Sequence, residues 1–342
     1  MGETHLAGGP PAGGAGEGGR LAEPLAIGPL RLDRRLFMAP MAGITTPPFR
    51  ASVRRWGAGL VFTEMISACG VHYRNRRTLD YLAGRVDEHP IGYQLFGAEP
   101  DVLADAAAVA VEAGADLVDI NMACPVRKVV KTGAGAALLA EPERAAAIVA
   151  AVVRAAGPGV PVTVKMRAGL REGDEAWREV APRLVEAGAA ALCIHPRTAG
   201  QLYRGVADHE VTRALAAAVP VPVVASGDVD GRAAALALLD TGAAAVMLAR
   251  GALGRPWLFR EVLDGAPPPP LAARLDELRV FVADVLADMG PRGVGHLRQF
   301  WPRFRRSGTI AKELSLALMR AATEAELRAL LGLDAAGAGG DR

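Results

Sequence analysis

Three helix-to-strand junctions in this chain carry nearly the same text: Glu112-Ala-Gly-Ala-Asp, Glu186-Ala-Gly-Ala-Ala and Asp240-Thr-Gly-Ala-Ala. In each, a glycine closes a helix in the left-handed conformation and an alanine leads into a short apolar run, so one helix-then-strand unit recurs. Eight apolar segments follow this rhythm: Leu36–Pro40, Leu60–Glu64, Ile91–Phe96, Leu117–Met122, Val162–Arg167, Ala191–Pro196, Val221–Ser226 and Ala244–Arg250. An Ala-rich amphipathic or mixed stretch follows each, the eighth helix beginning near Pro256. Alternating βα units predict a parallel sheet covered on both faces. Eight of them over roughly 235 residues match an α/β (β/α)8 TIM barrel, about 250 residues, better than a doubly wound sheet. No Gly-x-Gly-x-x-Gly fingerprint follows any strand, which also argues against a dinucleotide-binding sheet.

The barrel accounts for residues 24–265 of 342. Residues 1–23 are mostly Gly, Ala, Pro and Glu, with little to bury, and read as a disordered tail. The tetraproline Pro267–Pro270 stops any helix and marks a boundary. Beyond it, over 271–342, the stretches Leu271–Met289 and Thr309–Leu331 have helical apolar spacing and predict a small all-helical C-terminal domain, joined through Gly290-Pro291 and the basic-aromatic segment His296–Arg306. Ala and Gly carry much of the mean hydropathy of +0.20, and no run of about 18 apolar residues escapes a charge or turn former, so no membrane span is expected. With no apolar leader at the N-terminus, the expected location is cytoplasmic. Cys69, Cys124 and Cys193 form neither a disulfide framework nor a CxxC metal pair, so no metal is expected and cysteine chemistry must come from a single thiol.

Net charge is only +2, but residues 290–320 hold Arg292, Arg298, Arg303, Arg305, Arg306, Lys312 and Arg320 against Glu313 alone, a local charge of +6. Such a run is either a solvated helix face or a polyanion site. In a (β/α)8 barrel, chemistry sits at the C-terminal strand ends. Those ends are polar throughout: Glu64, Gln94, Asp119, Asn121 and Cys124, Lys165 and Arg167, His195 and Arg197, Ser226-Gly227-Asp228, Ala249-Arg250-Gly251. One polar strand residue is ordinarily a satisfied core group, whereas this many on one rim point to a ligand site. The glycine turns after strands seven and eight, with Arg250 beside them, suit a phosphate.

The strings Ala39-Pro-Met-Ala-Gly-Ile-Thr, Asp119-Ile-Asn-Met-Ala-Cys-Pro, Val162-Thr-Val-Lys-Met-Arg, His195-Pro-Arg-Thr, Ser226-Gly-Asp and Gly254-Arg-Pro-Trp, in order on these strand ends, resemble the tRNA-dihydrouridine synthase family, nearest its bacterial B-type. The resemblance runs from about Leu25 to the C-terminus. It implies an enzyme that uses FMN and NADPH, or NADH, to reduce the C5–C6 double bond of a uridine in tRNA. The FMN-binding positions implied are Pro40, Met41, Ala42, Gln94, Lys165, His195, Ser226, Gly227, Asp228, Ala249 and Arg250. Gln94 would present its amide to the flavin's pyrimidine edge, and Lys165 would face negative charge on the reduced ring.

The catalytic proton donor implied is Cys124, which follows a strand end and precedes Pro125, whereas Cys69 and Cys193 read as inert packing. Asn121, Lys128, Lys131, Arg303, Arg305 and Arg306 are the expected substrate contacts. Phe300, Trp301 and Phe304 interleave the C-terminal arginines, and Tyr73 with Arg74, Arg76 and Arg77 forms a second basic-aromatic group. The target base must be turned out of its stack to reach the barrel mouth. No obligate protein partner is implied. The chain departs from the family's usual pattern at Ala123, Ser226 and Ala249, where relatives carry Gly, Asn and Gly.

Three other readings fit parts of the sequence. A flavin barrel acting on a free pyrimidine, of the dihydroorotate dehydrogenase type, has no need of the basic helical domain. Lys165 as the Schiff-base lysine of a metal-free aldolase is a second reading, which a yellow, flavin-bound preparation would dismiss. A non-catalytic tRNA-binding folding factor does not require Cys124 and Lys165.

Overall fold

A computed structural model describes residues 17–333. Its core is a closed ring of eight parallel strands: β3 (Leu36–Met38), β4 (Val61–Phe62), β6 (Ile91–Phe96), β7 (Leu117–Met122), β8 (Val162–Arg167), β9 (Ala191–His195), β10 (Val223–Ser226) and β11 (Ala245–Leu248). β11 pairs with β3, and a bridge between Phe37 and Leu60 closes the ring onto β4. The expected second strand, Leu60–Glu64, is regular over only two residues, and its line is resumed by β5 (Ile66–Ser67), which also pairs with β6. A hairpin of β1 (Leu25–Ile27) and β2 (Leu30–Leu32), not anticipated, lays Ile27 and Leu32 against Phe37, Leu60 and Met247 and closes the bottom of the barrel with apolar side chains.

Helices cover the outside: α1 (Pro47–Arg55), α2 (Ala68–His72), α3 (Arg76–Leu79), α4 (Pro100–Glu112), α5 (Arg127–Val130), α6 (Pro142–Ala156), α7 (Trp177–Glu186), α8 (His209–Ala218), α9 (Arg232–Leu239) and α10 (Leu258–Asp264). Strand alternation divides the side chains between two environments. On β8, Val162, Val164 and Met166 join the large cluster that packs the helices, while Thr163, Lys165 and Arg167 fall on the opposite, inner face. The tail expected over residues 1–23 lies outside the described residues as far as position 16. Its remainder is ordered, because Glu17–Ala22 form a 3-10 helix with Leu21 fully buried and Arg20 paired with Asp240 at 2.6 Å.

The C-terminal region is helical: α11 (Leu271–Met289), α12 (Arg292–Leu297), α13 (Trp301–Arg306), α14 (Lys312–Arg320) and α15 (Glu324–Leu331). The single helix expected over Thr309–Leu331 is broken. Thr323 caps α15 by accepting from the Glu326 N–H, while the Glu326 carboxylate accepts from the Ala322 N–H, a Thr-x-x-Glu capping arrangement. Phe300, Trp301 and Phe304 are each no more than 2% exposed, so they do not offer faces to RNA bases. Phe300 and Phe281 of α11 instead pack on Phe49 of α1, with ring centroids 5.0–6.3 Å apart. Ser52 and Arg55 of α1 also donate to the buried Glu277 of α11, at 2.6 and 2.8 Å. The helical region and the barrel therefore share one continuous apolar core. No helix among the described residues is long and apolar enough to cross a membrane.

Candidate active site

Parallel register brings the inward polar residues of neighbouring strands side by side: Gln94 with Asp119, Asn121 with Lys165, Lys165 with Cys193, Arg167 with His195. Above them, at the C-terminal rim, opens a cavity of about 520 Å³. Nine of the expected cofactor positions line it: Pro40, Met41, Lys165, His195, Ser226, Gly227, Asp228, Ala249 and Arg250. Ala42 and Gln94 do not. Arg303 of α13 and Tyr203 of the loop after β9 complete the wall.

The turn after β10 exposes backbone N–H groups. Gly227 sits at φ +122°, a conformation that strains any side chain, and a Cβ there would crowd the His195 ring at 3.0 Å. Among the described residues, the N–H groups of Gly227, Asp228, Val229 and Asp230 donate to no protein acceptor. Asp228, although expected at the cofactor, turns its carboxylate away to Arg197 (2.9 and 2.6 Å) and to the Ala207 N–H. Its contribution to the cavity is thus a pinned turn. This cradle of free N–H groups, with Arg250 beside it, fits a phosphate-bearing group.

Lys165 is 8% exposed, and the carboxylate nearest in the barrel, Asp119, is already taken by Gln94 and Thr163. The ammonium therefore remains available to the cavity. Burial first, then Lys165, Arg167, Arg197 and Arg250, hold the His195 imidazole down to about 2, so it is neutral at any working pH and serves as a hydrogen-bonding group, not a charge. Burial pushes the Cys193 thiol up to about 12; its sulfur lies 3.6 Å from that of Met247, as expected of a packing cysteine. Cys69, also read as packing, is instead exposed on α2, because the strand resumes at β5 and the helix starts on the rim with Ala68 and Val71 turned inward.

Cys124 is held by an unbroken relay from the barrel interior. Gln94 donates through Nε2 to Asp119 Oδ2 (2.6 Å), Asn121 Nδ2 donates to Gln94 Oε1 (2.8 Å), and Asn121 Oδ1 accepts from the N–H groups of Ala123 (3.1 Å) and Cys124 (2.9 Å). Asp119, an acceptor only, decides which way round Gln94 lies, and Gln94 in turn orients Asn121. Asn121, expected at the substrate, is thus a positioning residue for the cysteine loop. The Gln94 amide keeps one N–H and one lone pair beyond these bonds. From the other side Arg167, 2% exposed, donates to the carbonyls of Ala123 (2.9 Å), Thr198 (2.8 Å) and Leu202 (2.9 Å). That arginine ties the Cys124 loop to the loop bearing Tyr203, over whose ring Arg250 lies at 4.5 Å. Tyr203 carried no motif of its own; only its place next to Arg167 and Arg250 identifies it.

Burial raises the Asp119 carboxyl to about 6, against Gln94, Thr163 and Lys165, which lower it. Because the folded protein holds this proton more tightly than the unfolded chain, Asp119 contributes less to stability as pH rises from about 4 to about 6, and least above it. Protonation also places an O–H against two donors and disturbs the relay. Catalytic turnover at this rim is accordingly expected to fall as pH drops through about 6, measured as a single-turnover rate. In Asp119→Asn that limb should vanish at a lower plateau; identical profiles for the two proteins would remove Asp119 from the relay.

Basic side chains surround the mouth. Lys128 and Lys131 are exposed on and just after α5, three residues apart and next to the Cys124 loop, and Tyr73, Arg74, Arg76 and Arg77 are exposed beyond β5. α13 divides its arginines: Arg303 and Arg306 share a face towards the barrel rim, whereas Arg305 points elsewhere.

A closed (β/α)8 barrel whose C-terminal rim carries a turn of free N–H groups, a lysine with no carboxylate partner among the described residues and a tethered cysteine loop has the architecture of a barrel enzyme. A family model described as dihydrouridine synthase matches residues 37–320. The chain is 38% identical over 312 residues to tRNA-dihydrouridine synthase B of Xanthomonas campestris pv. campestris, covering 89% of this chain and 93% of that protein. It is 40% identical over 280 residues to tRNA-dihydrouridine synthase B of Pseudomonas aeruginosa, covering 78% and 83%. Among solved structures, morphinone reductase shares the fold, with TM-score 0.56 and 18% identity over 73% of this chain and 91% of that one. The chain belongs to the dihydrouridine synthase family, and with it to the flavin-dependent oxidoreductases.

Proposed function

We propose that this chain is a tRNA-dihydrouridine synthase that binds FMN in the rim cavity and uses NADPH to reduce the C5–C6 bond of one tRNA uridine. What supports the reading is that Lys165, without a carboxylate partner among the described residues, and the turn Gly227–Asp230 with its free N–H groups line one rim cavity, and that the doubly tethered Cys124 loop follows a strand end of the same barrel, in a chain of this family. The flavin, when bound, supplies the two-electron chemistry that carries hydride equivalents from the nicotinamide donor to C6 of the uracil.

The protein's own groups do the rest. Backbone N–H groups after β10, together with Arg250, hold the phosphate end. Lys165 and neutral His195 would hydrogen-bond the polar edge of the ring system when it is bound, and the Lys165 ammonium would favour negative charge there. Cys124 gives its thiol proton to C5 of the uracil and recovers one from solvent, so each turnover consumes one NADPH and one proton and yields NADP+ and dihydrouridine. Lys128, Lys131 and the arginines of α13 hold the RNA while the uridine is turned out, a step that requires a few kcal/mol.

The decisive test is mass analysis of tRNA from cells lacking this protein: one mapped uridine should be lighter by about 2 Da, the hydrogen pair that is no longer added. Unchanged tRNA masses would sink the reading. Lys165→Ala is expected to slow flavin reduction by NADPH by roughly 10²–10³-fold, the usual loss for one preorganised electrostatic partner, with folding intact. Stopped-flow bleaching of the flavin measures this; full occupancy with an unchanged rate would exclude Lys165.

A further inference from the structure

Beside the rim cavity lies a second pocket, of about 430 Å³, where the turn after β11, the start of α11 and the end of α13 meet. Five guanidinium side chains line it: Arg250, Arg255, Arg274, Arg303 and Arg306. Only Arg255 has a carboxylate to itself, Glu261. The nearest acid to Arg250 is Asp228, at 3.9 Å and already paired with Arg197. Arg274 donates through Nη1 to the Ser307 carbonyl at 2.9 Å, while its buried Nε has no partner among the described residues. Arg303 and Arg306 form no ion pair among the described residues.

The pocket is rigidly built. Gly254, at φ +67°, brings the β11–α10 loop so close to α13 that a Cβ there would lie 2.6 Å from the backbone of Arg303 and Phe304. The buried Trp301 and Phe304 anchor the other side of the helix. The structure thus confines five guanidinium groups in one concave space with Glu261 alone, among the described residues, committed to one of them, an excess of like charge that a bound anion relieves. Planar guanidinium forks suit the oxygens of a phosphate, which they can bind bidentately. Arg250, Gly251 and Arg303 form a wall common to this pocket and the rim cavity, so one ligand can reach into both.

We propose that this five-arginine pocket is a second phosphate site, separate from the cradle after β10, that takes a phosphate of a ligand whose base end occupies the rim cavity. It rests on the proposed reading of that cavity. Two ligands carry the required chemistry: a backbone phosphate beside the extruded uridine, and the 2′-phosphate of NADPH.

The test compares flavin-loaded parent with Arg306→Gln and with Arg274→Gln/Arg306→Gln, and with Arg292→Gln, which removes one charge from the same basic segment outside the pocket. Calorimetry with NADP+ and NAD+ reads the dinucleotide source, and tRNA affinity over a salt series reads the RNA source. If the dinucleotide fills the site, the double variant loses roughly ten- to hundredfold in NADP+ affinity and nothing for NAD+. If the RNA fills it, the log–log salt slope falls by about one unit in both pocket variants, beyond any change in Arg292→Gln. Pocket variants that match Arg292→Gln in both measurements overturn the proposal. A parent that binds no flavin and forms no dihydrouridine overturns the reading of the cavity itself, and the pocket with it. Arg306→Gln guards against misfolding, since Arg306 is exposed and bonded to no protein group among the described residues.

Discussion

Cys124→Ala is expected to bind flavin and tRNA as the parent does and to lose roughly 10²–10⁴-fold in uridine reduction, the range for removing a general acid. The loop should survive the change, because its tethers are main-chain groups: the N–H of Cys124 to Asn121, the Ala123 carbonyl to Arg167, and the Cys124 carbonyl to the Ala136 N–H. Only the proposed proton donor is deleted. Hydride added at C6 without a proton for C5 leaves the uracil as an enolate that reverts. Cys69→Ala, on the surface, should retain activity, and so should Cys193→Ala, apart from a small loss of stability from its packing against Met247. Single-turnover oxidation of the reduced enzyme by tRNA measures the effect; a rate for Cys124→Ala equal to the parent's would refute the assignment.

Arg50→Ala is expected to destabilise the protein by about 3–5 kcal/mol, the range for leaving one member of a buried ion pair alone. Arg50 and Glu88 are 2% and 0% exposed, and Arg50 Nε donates to Glu88 at 2.9 Å. Burial, with a smaller push from Asp87, raises the Glu88 carboxyl, and Arg50 is the main group that opposes it. The same guanidinium donates to the Thr45 carbonyl at 2.6 Å, and the Thr45 hydroxyl accepts from the Met41 N–H, so the pair also supports the turn that brings Pro40 and Met41 to the cavity. Urea unfolding gives the magnitude. Replacing both members together with Met should recover most of the loss, whereas a single-variant effect below about 1 kcal/mol would show that Glu88 is neutralised in another way.

Neither residue of that pair stood out in the sequence, and the reason extends to the rest of the site. The helix-to-strand rhythm and the polar strand ends are local properties: a β-branched run, a closing glycine, a two-residue alternation. They suffice to predict eight strands and to place Lys165, His195, Ser226 and Arg250 on one rim, because closing a barrel gathers all its C-terminal ends whatever the details of packing. Local rules were weaker where a segment serves two masters. Leu60–Glu64 looks like one strand, yet the ring needs only Val61–Phe62 there and resumes at Ile66, which carries Cys69 out to the surface.

Partnerships between distant residues leave no such local trace. The relay from Asp119 through Gln94 to Asn121 and Cys124 crosses from β7 to β6 and back, and Arg50 meets Glu88 across 38 positions. The basic-aromatic segment shows the limit most directly. Its composition offered Phe300, Trp301 and Phe304 as readily to RNA as to a core, and nothing in the spacing separated Arg303 and Arg306 from Arg305. Burying Phe300 on Phe49 and Phe281, with Phe304 beside Phe281 and Trp301 fully buried, settled both questions at once, since the turn of α13 that hides Trp301 and Phe304 carries Arg303 and Arg306 to the barrel side. The sequence by itself determined the barrel, its reactive rim and the family, which rest on short-range pattern. Only tertiary packing decided which polar groups hold one another and which remain free for a ligand, because a hydrogen bond or an ion pair depends on where the rest of the chain puts its partner.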